Sequence, residues 1–155
     1  WNRRWYTALF RGRYSPKRIL YTVTDLALAV FIVLLVISGP LVSHYVFAFL
    51  QINALSVGRS LHLLATAWAF LLSGFHLGLH HGGARRSPVM VLLSVGGVVS
   101  FLHLELWKRL FLVTAFAYAP SVSVWIQGLE FLLILCLAGF LGAEAVRAAE
   151  RGTGK

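Results

Sequence analysis

The chain has 155 residues, of which 59% are hydrophobic and 12% charged, with a formal net charge of +9 at pH 7. The apolar residues come in long runs rather than at amphipathic spacing, which excludes a soluble globular domain and marks membrane spans. Nor does the basic excess point to nucleic acid, because it is sorted along the chain as a membrane topology would sort it.

Residues 1–18 are aromatic and basic: Trp1, Trp5, Tyr6, Phe10 and Tyr14 alternate with Arg3, Arg4, Arg11 and Arg13. That mixture suits a cytoplasmic interfacial segment, rings at headgroup depth and cations outward. Four spans follow, at about 19–39, 60–81, 88–104 and 124–146. The expected fold is therefore all-α: an integral membrane bundle of four transmembrane helices over residues 19–147.

The first span carries one charge, Asp25, and reaches Ser38-Gly39-Pro40. Because residues 41–50 stay apolar, Pro40 is expected to kink the helix rather than end it. His44 falls in this continuation, on the outer side, and residues 51–57 make the turn. The second span stops at Gly82-Gly83, before Arg85 and Arg86. The third contains the Gly96-Gly97 pair, small enough for close helix contact. Between 103 and 118, Glu105, Lys108 and Arg109 share one face, so an amphipathic interfacial helix is expected before the last span. The last span holds Glu130, Glu144 and the only cysteine, Cys136; residues 148–155 form a cytoplasmic tail, polar and disordered from Glu150.

With four spans, Arg3, Arg4, Arg11, Arg13, Lys17, Arg18, Arg85, Arg86, Arg147, Arg151 and Lys155 lie on one side. Arg59, Lys108 and Arg109 lie on the other. That asymmetry places both termini in the cytoplasm.

The chemistry concentrates on the second span. His62 and His76 are 14 residues apart, so they lie within roughly 40° on one helix face and about 21 Å apart along the axis. Two neutral imidazoles, one per leaflet, are what two stacked haems need from one wall of a bundle. Ala69 stands midway on the same face, small enough for a flat macrocycle, with Ala65 and Ser73 beside it. The alternative is a pair of membrane histidines that bind neighbouring helices together. His80 points the same way as His62 and either replaces His76 as ligand or bonds a propionate or quinone headgroup at the cytoplasmic rim. His44 is a candidate outer ligand or propionate contact, His103 reads as an interfacial histidine, and His81 is given no role. Arg59, one turn before His62, can pair a propionate or simply mark the membrane edge. Asp25 needs a partner at its depth, and His76 or His80 is within reach of it. The lone cysteine rules out a thioether-bound haem or a thiolate cluster, and no nucleophile–base set or phosphate-cradling loop is present.

These blocks resemble the flavinylation-associated cytochromes, small b-type membrane cytochromes formerly described as a domain of unknown function. Leu9-Phe10-Arg11-Gly12-Arg13-Tyr14-Ser15-Pro16 with Arg18-Ile19-Leu20 is similar to the family's LF-K-GKYTP-RIL opening. Ile37-Ser38-Gly39, Ser43-His44 and Val46-Phe47-Ala48-Phe49-Leu50 resemble its SG…S-H-VFAFL stretch, and Arg59-Ser60-Leu61-His62 with His76-Leu77-Gly78-Leu79-His80 its R-LH…HLGLH helix. The resemblance covers most of the first half and fades past residue 84. It implies axial-ligand roles for His62 and His76, and haem-site roles for His44 and His80. Two departures stand out. Ala69 replaces a glycine usual in the family. A family helix with its own histidine pair, just before the segment matched by Trp1 to Tyr6, is also missing, so a further helix upstream is expected to complete the inner haem.

The expected function is transmembrane electron transfer by a haem b protein with one or two haems, in a bacterial-type cytoplasmic membrane. It would deliver electrons to an extracytosolic flavin-bearing partner, as an electron-transfer subunit rather than a stand-alone enzyme. The alternatives are a quinone-reactive anchor subunit of an oxidoreductase and a haem-free structural or transport subunit.

Overall fold

The computed structural model describes residues 15–42, 55–81, 87–112 and 123–153, with side chains at 55, 56 and 153 left aside. All of the described secondary structure is helical: α1 (Pro16–Val42), α2 (Leu55–His80), α3 (Pro88–His103), α4 (Leu106–Leu110) and α5 (Val124–Thr153).

The helix starts follow local chemistry. Pro16 opens α1, where its missing N–H costs nothing, and Ser15 Oγ accepts from the backbone N–H of Arg18 at 3.3 Å. Ser87 repeats the device for α3: Pro88 is the first helical residue and Val89 N–H donates to Ser87 Oγ at 3.3 Å. The helix runs on past Pro40 to Val42. α2 starts at Leu55 rather than 60, so part of the expected turn is helix; Gly58 lets that extra turn lie against Leu41 of α1, where a Cβ would come within 2.9 Å of Leu41 Cβ. α5 continues through Glu150 and Arg151 to Thr153, so most of the tail expected to be disordered is helical. Lys17 of α1 holds its end down through a 2.7 Å ion pair with Glu150.

α1 packs beside α2, α2 beside α5 and α5 beside α3, with a smaller contact between α1 and α5, while the backbones of α2 and α3 stay apart. Antiparallel α1 and α2 are aligned by Asp25 opposite His76 and Ser38 opposite His62. Parallel α2 and α5 meet along glycines: a Cβ at Gly78 would overlap the Gly139 carbonyl, and one at Gly142 the Phe75 carbonyl. Gly74-x-x-x-Gly78 and Ala138-x-x-x-Gly142 are two small-x-x-x-small seams, which bring backbones close where no water-driven collapse operates. Gly97 does the same for antiparallel α3 against Leu133 and Leu137 of α5.

α4 bridges α2 and α3 across one end of their gap. Within the expected amphipathic segment the described helix is short, with Leu106 and Leu110 buried and Trp107 and Arg109 exposed. It turns inward after Glu105, which takes a left-handed backbone (φ 48°), and buries Leu106 and Leu110 against Ala67 of α2 and Ile134 of α5. Trp68 Nε1 donates to the Leu110 carbonyl at 3.1 Å and closes this core. Lys108 pairs with Glu105 and Arg109 stays exposed, as a polar outer face requires. Residues 113–118 of the expected interfacial helix lie outside the described residues.

The outer surface is apolar. Val23, Leu26, Val30, Val33 and Val36 of α1, and Leu92, Val95 and Val99 of α3, are all exposed. A water-soluble chain would not leave such continuous patches open. α1, α2 and α5 are long and apolar enough to cross a membrane; α3, with 16 residues, is shorter than the three.

Candidate functional site

The polar side chains inside the apolar row gather along the α1–α2 seam. At one end, Ser38 Oγ lies 3.0 Å from His62 Nδ1, and also contacts the Leu35 carbonyl at 3.4 Å. A hydroxyl has one proton. With that proton on Leu35, Oγ accepts from Nδ1–H of His62, and the lone pair of this imidazole sits on Nε2. Ser38 is fully buried, so the contact is shielded from water.

About 21 Å further along α2, His76 Nδ1 lies 2.9 Å from Asp25 Oδ1. The approach is out of line, and Nδ1 is buried without a hydrogen-bond partner, so the contact is an electrostatic one rather than a directed hydrogen bond. His80 follows one turn on, its ring 4.6 Å from that of His76 and 5.2 Å from that of Tyr21. Tyr21 donates its hydroxyl proton to the Leu79 carbonyl at 2.6 Å. Tyr21, Asp25, His76 and His80 therefore form one cluster, and of the two partners open to Asp25 it meets His76.

Between the two ends the face is small, as the spacing implied. Ala65 and Ala69 are buried, while Ser73 is exposed and donates back to the Ala69 carbonyl at 2.7 Å. Arg59 is exposed one turn before His62. His81 is exposed, with Nδ1 2.9 Å from the Leu77 carbonyl. His44 lies outside the described residues.

A second polar pair sits on the far side of the row. His103, at the end of α3, places Nδ1 2.7 Å from Glu130 Oε1 of α5. Read alone, His103 passed for an interfacial histidine and Glu130 had no partner; the antiparallel alignment of α3 and α5 joins them across 27 residues. Glu144 is likewise tied, by an ion pair to Arg147. Among the described residues no group of three or more His, Cys, Asp or Glu side chains is placed to hold a bare metal ion.

The donor set does fit axial ligation of a haem. A ligating histidine presents one ring nitrogen while the other is engaged by a carboxylate, hydroxyl or carbonyl that fixes the ring. His62 with Ser38 has that form; His76 has Asp25 2.9 Å from its Nδ1 as a charged neighbour rather than as a hydrogen-bond acceptor. The pairing of His76 with His80 does not fit, because two rings one turn apart on one helix cannot approach a macrocycle from opposite sides.

No family model, no curated protein and no solved structure matches this chain.

Proposed function

We propose that the chain is the membrane part of a b-type cytochrome that carries electrons between the two leaflets. The observation that supports this most is the paired support from α1: two histidines of α2, about 21 Å apart, each turn Nδ1 to a polar side chain of the neighbouring helix. Haem, when bound, would supply the one-electron couple. The chain's own residues do the rest. His62 and His76 offer Nε2; Ser38 holds the His62 ring, and Asp25 sets a carboxylate beside His76; the apolar flanks of α1 and α2 exclude water and lower the local dielectric. His44, Arg59, Ala69 and His80 are assigned to the surroundings of the haem sites, as ligand, propionate partner, packing surface and rim.

The second ligand at the His76 end comes from another helix, since His76 and His80 share α2. Basic residues gather on the side where α1 begins and α2 and α5 end, so that side is assigned to the cytoplasm of a bacterial-type membrane, with a flavin-bearing acceptor outside. Reduced-minus-oxidised visible spectroscopy of the purified chain tests the reading. A sharp low-spin haem b band is expected. A colourless protein that co-purifies with no haem after expression with haem supplied overturns it and leaves a structural role for the histidines.

A further inference from the structure

We infer that Asp25 and Arg59 set the two ends of the α2 histidine face at unequal reduction potentials, lower at His76 and higher at His62. This rests on the haem reading above and concerns what the chain's own charges do there. Reduction adds one negative charge to a haem site, so a fixed anion beside an axial ligand opposes it and a fixed cation favours it. The neighbours of the two histidines differ in this respect. His76 has the Asp25 carboxylate 2.9 Å from Nδ1. His62 has the uncharged Ser38 hydroxyl at 3.0 Å. Arg59 stands three residues before His62 on α2, about 4.5 Å along the axis.

The other described charges near the His76 end do not level the difference. Lys17 is paired with Glu150 at 2.7 Å, and Arg147 with Glu144, so each pair carries little field to a distance. Arg18 stands seven residues before Asp25, about 10 Å along α1 and near its start, where salt at the headgroups screens it. Asp25 lies further in, about 13 Å from the start of α1. It is half exposed, on a face that continues with Ala29 and Ile32, and an apolar surrounding weakens a charge far less than water does. The His80 ring, 4.6 Å from that of His76, carries no negative charge and cannot supply what Asp25 does. One electron shared between the two sites therefore rests at the His62 end, with iron reduced there, iron oxidised at the His76 end, and no proton moved. An electron that enters where α2 ends runs downhill to where α2 begins.

The test is a spectroscopic redox titration of the whole chain in nanodiscs. Two one-electron waves are expected. His76→Ala should remove the lower and His62→Ala the upper, which assigns them. Asp25→Asn should raise the lower wave by at least about 59 mV, a tenfold change in a one-electron equilibrium, and leave the upper in place. Asp25→Glu should keep the lower wave low. Arg59→Gln should lower the upper wave by a smaller amount, since Arg59 is exposed. A purely structural role for Asp25 would cost haem or stability without moving one wave alone. A lower wave assigned to His62, equal potentials at the two sites, or waves that Asp25→Asn leaves where they were would each overturn the inference. So would a single wave indifferent to Asp25→Asn. Where Asp25→Asn fails to hold haem, the order of the waves in the unmutated chain decides. A chain that binds no haem sinks the haem reading and this inference together, whereas two haems in the wrong order sink this inference alone.

Discussion

Ser38 Oγ of α1 and His62 Nδ1 of α2 are 3.0 Å apart, with the serine fully buried and its Oγ also 3.4 Å from the Leu35 carbonyl. With the hydroxyl proton on that carbonyl, Oγ accepts from Nδ1–H of the histidine. Ser38→Ala should leave Nδ1–H without an acceptor and cost about 1 kcal/mol, the scale of an interhelical hydrogen bond within a membrane. Detergent-unfolding curves of the two proteins measure it. Unchanged stability together with an unchanged ring ¹⁵N spectrum would remove the bond from consideration.

His62→Ala and His76→Ala should each abolish one haem; no other described histidine stands near His62, and His80, one turn beyond His76, is the competing candidate at the other end. His81→Ala should leave haem content as it was, because that ring is exposed and bonded within its own turn. Pyridine haemochrome assays give the counts. Should His80→Ala remove haem while His76→Ala retains it, the ligand lies one turn further along α2 and Asp25 holds a bystander.

The glycines of the seams can be sorted by the space around them. Gly97→Ala would drive a methyl group into the Leu133 carbonyl, whereas Gly96→Ala meets only the flexible end of Leu133 at 3.4 Å. Gly97→Ala should destabilise by about 1–3 kcal/mol and Gly96→Ala by much less. The same contrast holds on the other seam: Gly78→Ala is severe, and Gly139→Ala, whose nearest atom is the Gly74 carbonyl at 3.4 Å, is mild. Melting in a single detergent, followed by circular dichroism, ranks all four.

Single cysteines introduced into a Cys136→Ser background should report one membrane side for residues 84 and 152 and the opposite side for residue 53. The pairing of Lys17 with Glu150 already brings the start of α1 and the end of α5 to one end of the bundle. Labelling of residue 53 from the cytoplasm alone would invert the orientation and exchange inner and outer sites.

Much of the helical content was legible because membrane helices write themselves as apolar runs, and Ser15-Pro16 and Ser87-Pro88 announce their starts. The ends were less legible. The last turns of α5 meet Lys17, 133 residues away, through Glu150, and no local pattern carries that contact. The inward fold of α4 depends on Leu106 and Leu110 finding Ala67 and Ile134, a tertiary fact. On the site, spacing alone placed His62, Ala69 and His76 on one face and named His76 among the partners of Asp25. It gave Ser38 no partner, since a serine beside Gly39-Pro40 reads as part of a kink and the antiparallel alignment that brings it to His62 is tertiary. His103 and Glu130 were missed as a pair because the alignment of α3 with α5 is set by Gly97. The Gly74-x-x-x-Gly78 signal for the α2–α5 seam was in plain view, but it overlaps the histidine motif that drew the reading elsewhere.

The shortness of α3 has a mechanical consequence. Its 16 residues span about 24 Å against a hydrocarbon core of about 30 Å, while its neighbours span the full depth. In a four-span arrangement, lipids on that flank would compress to meet α3, and those along α1 would not. Such a bilayer would be strained on one side only, and its elastic energy would favour a partner helix that covers the thinned flank beside α3.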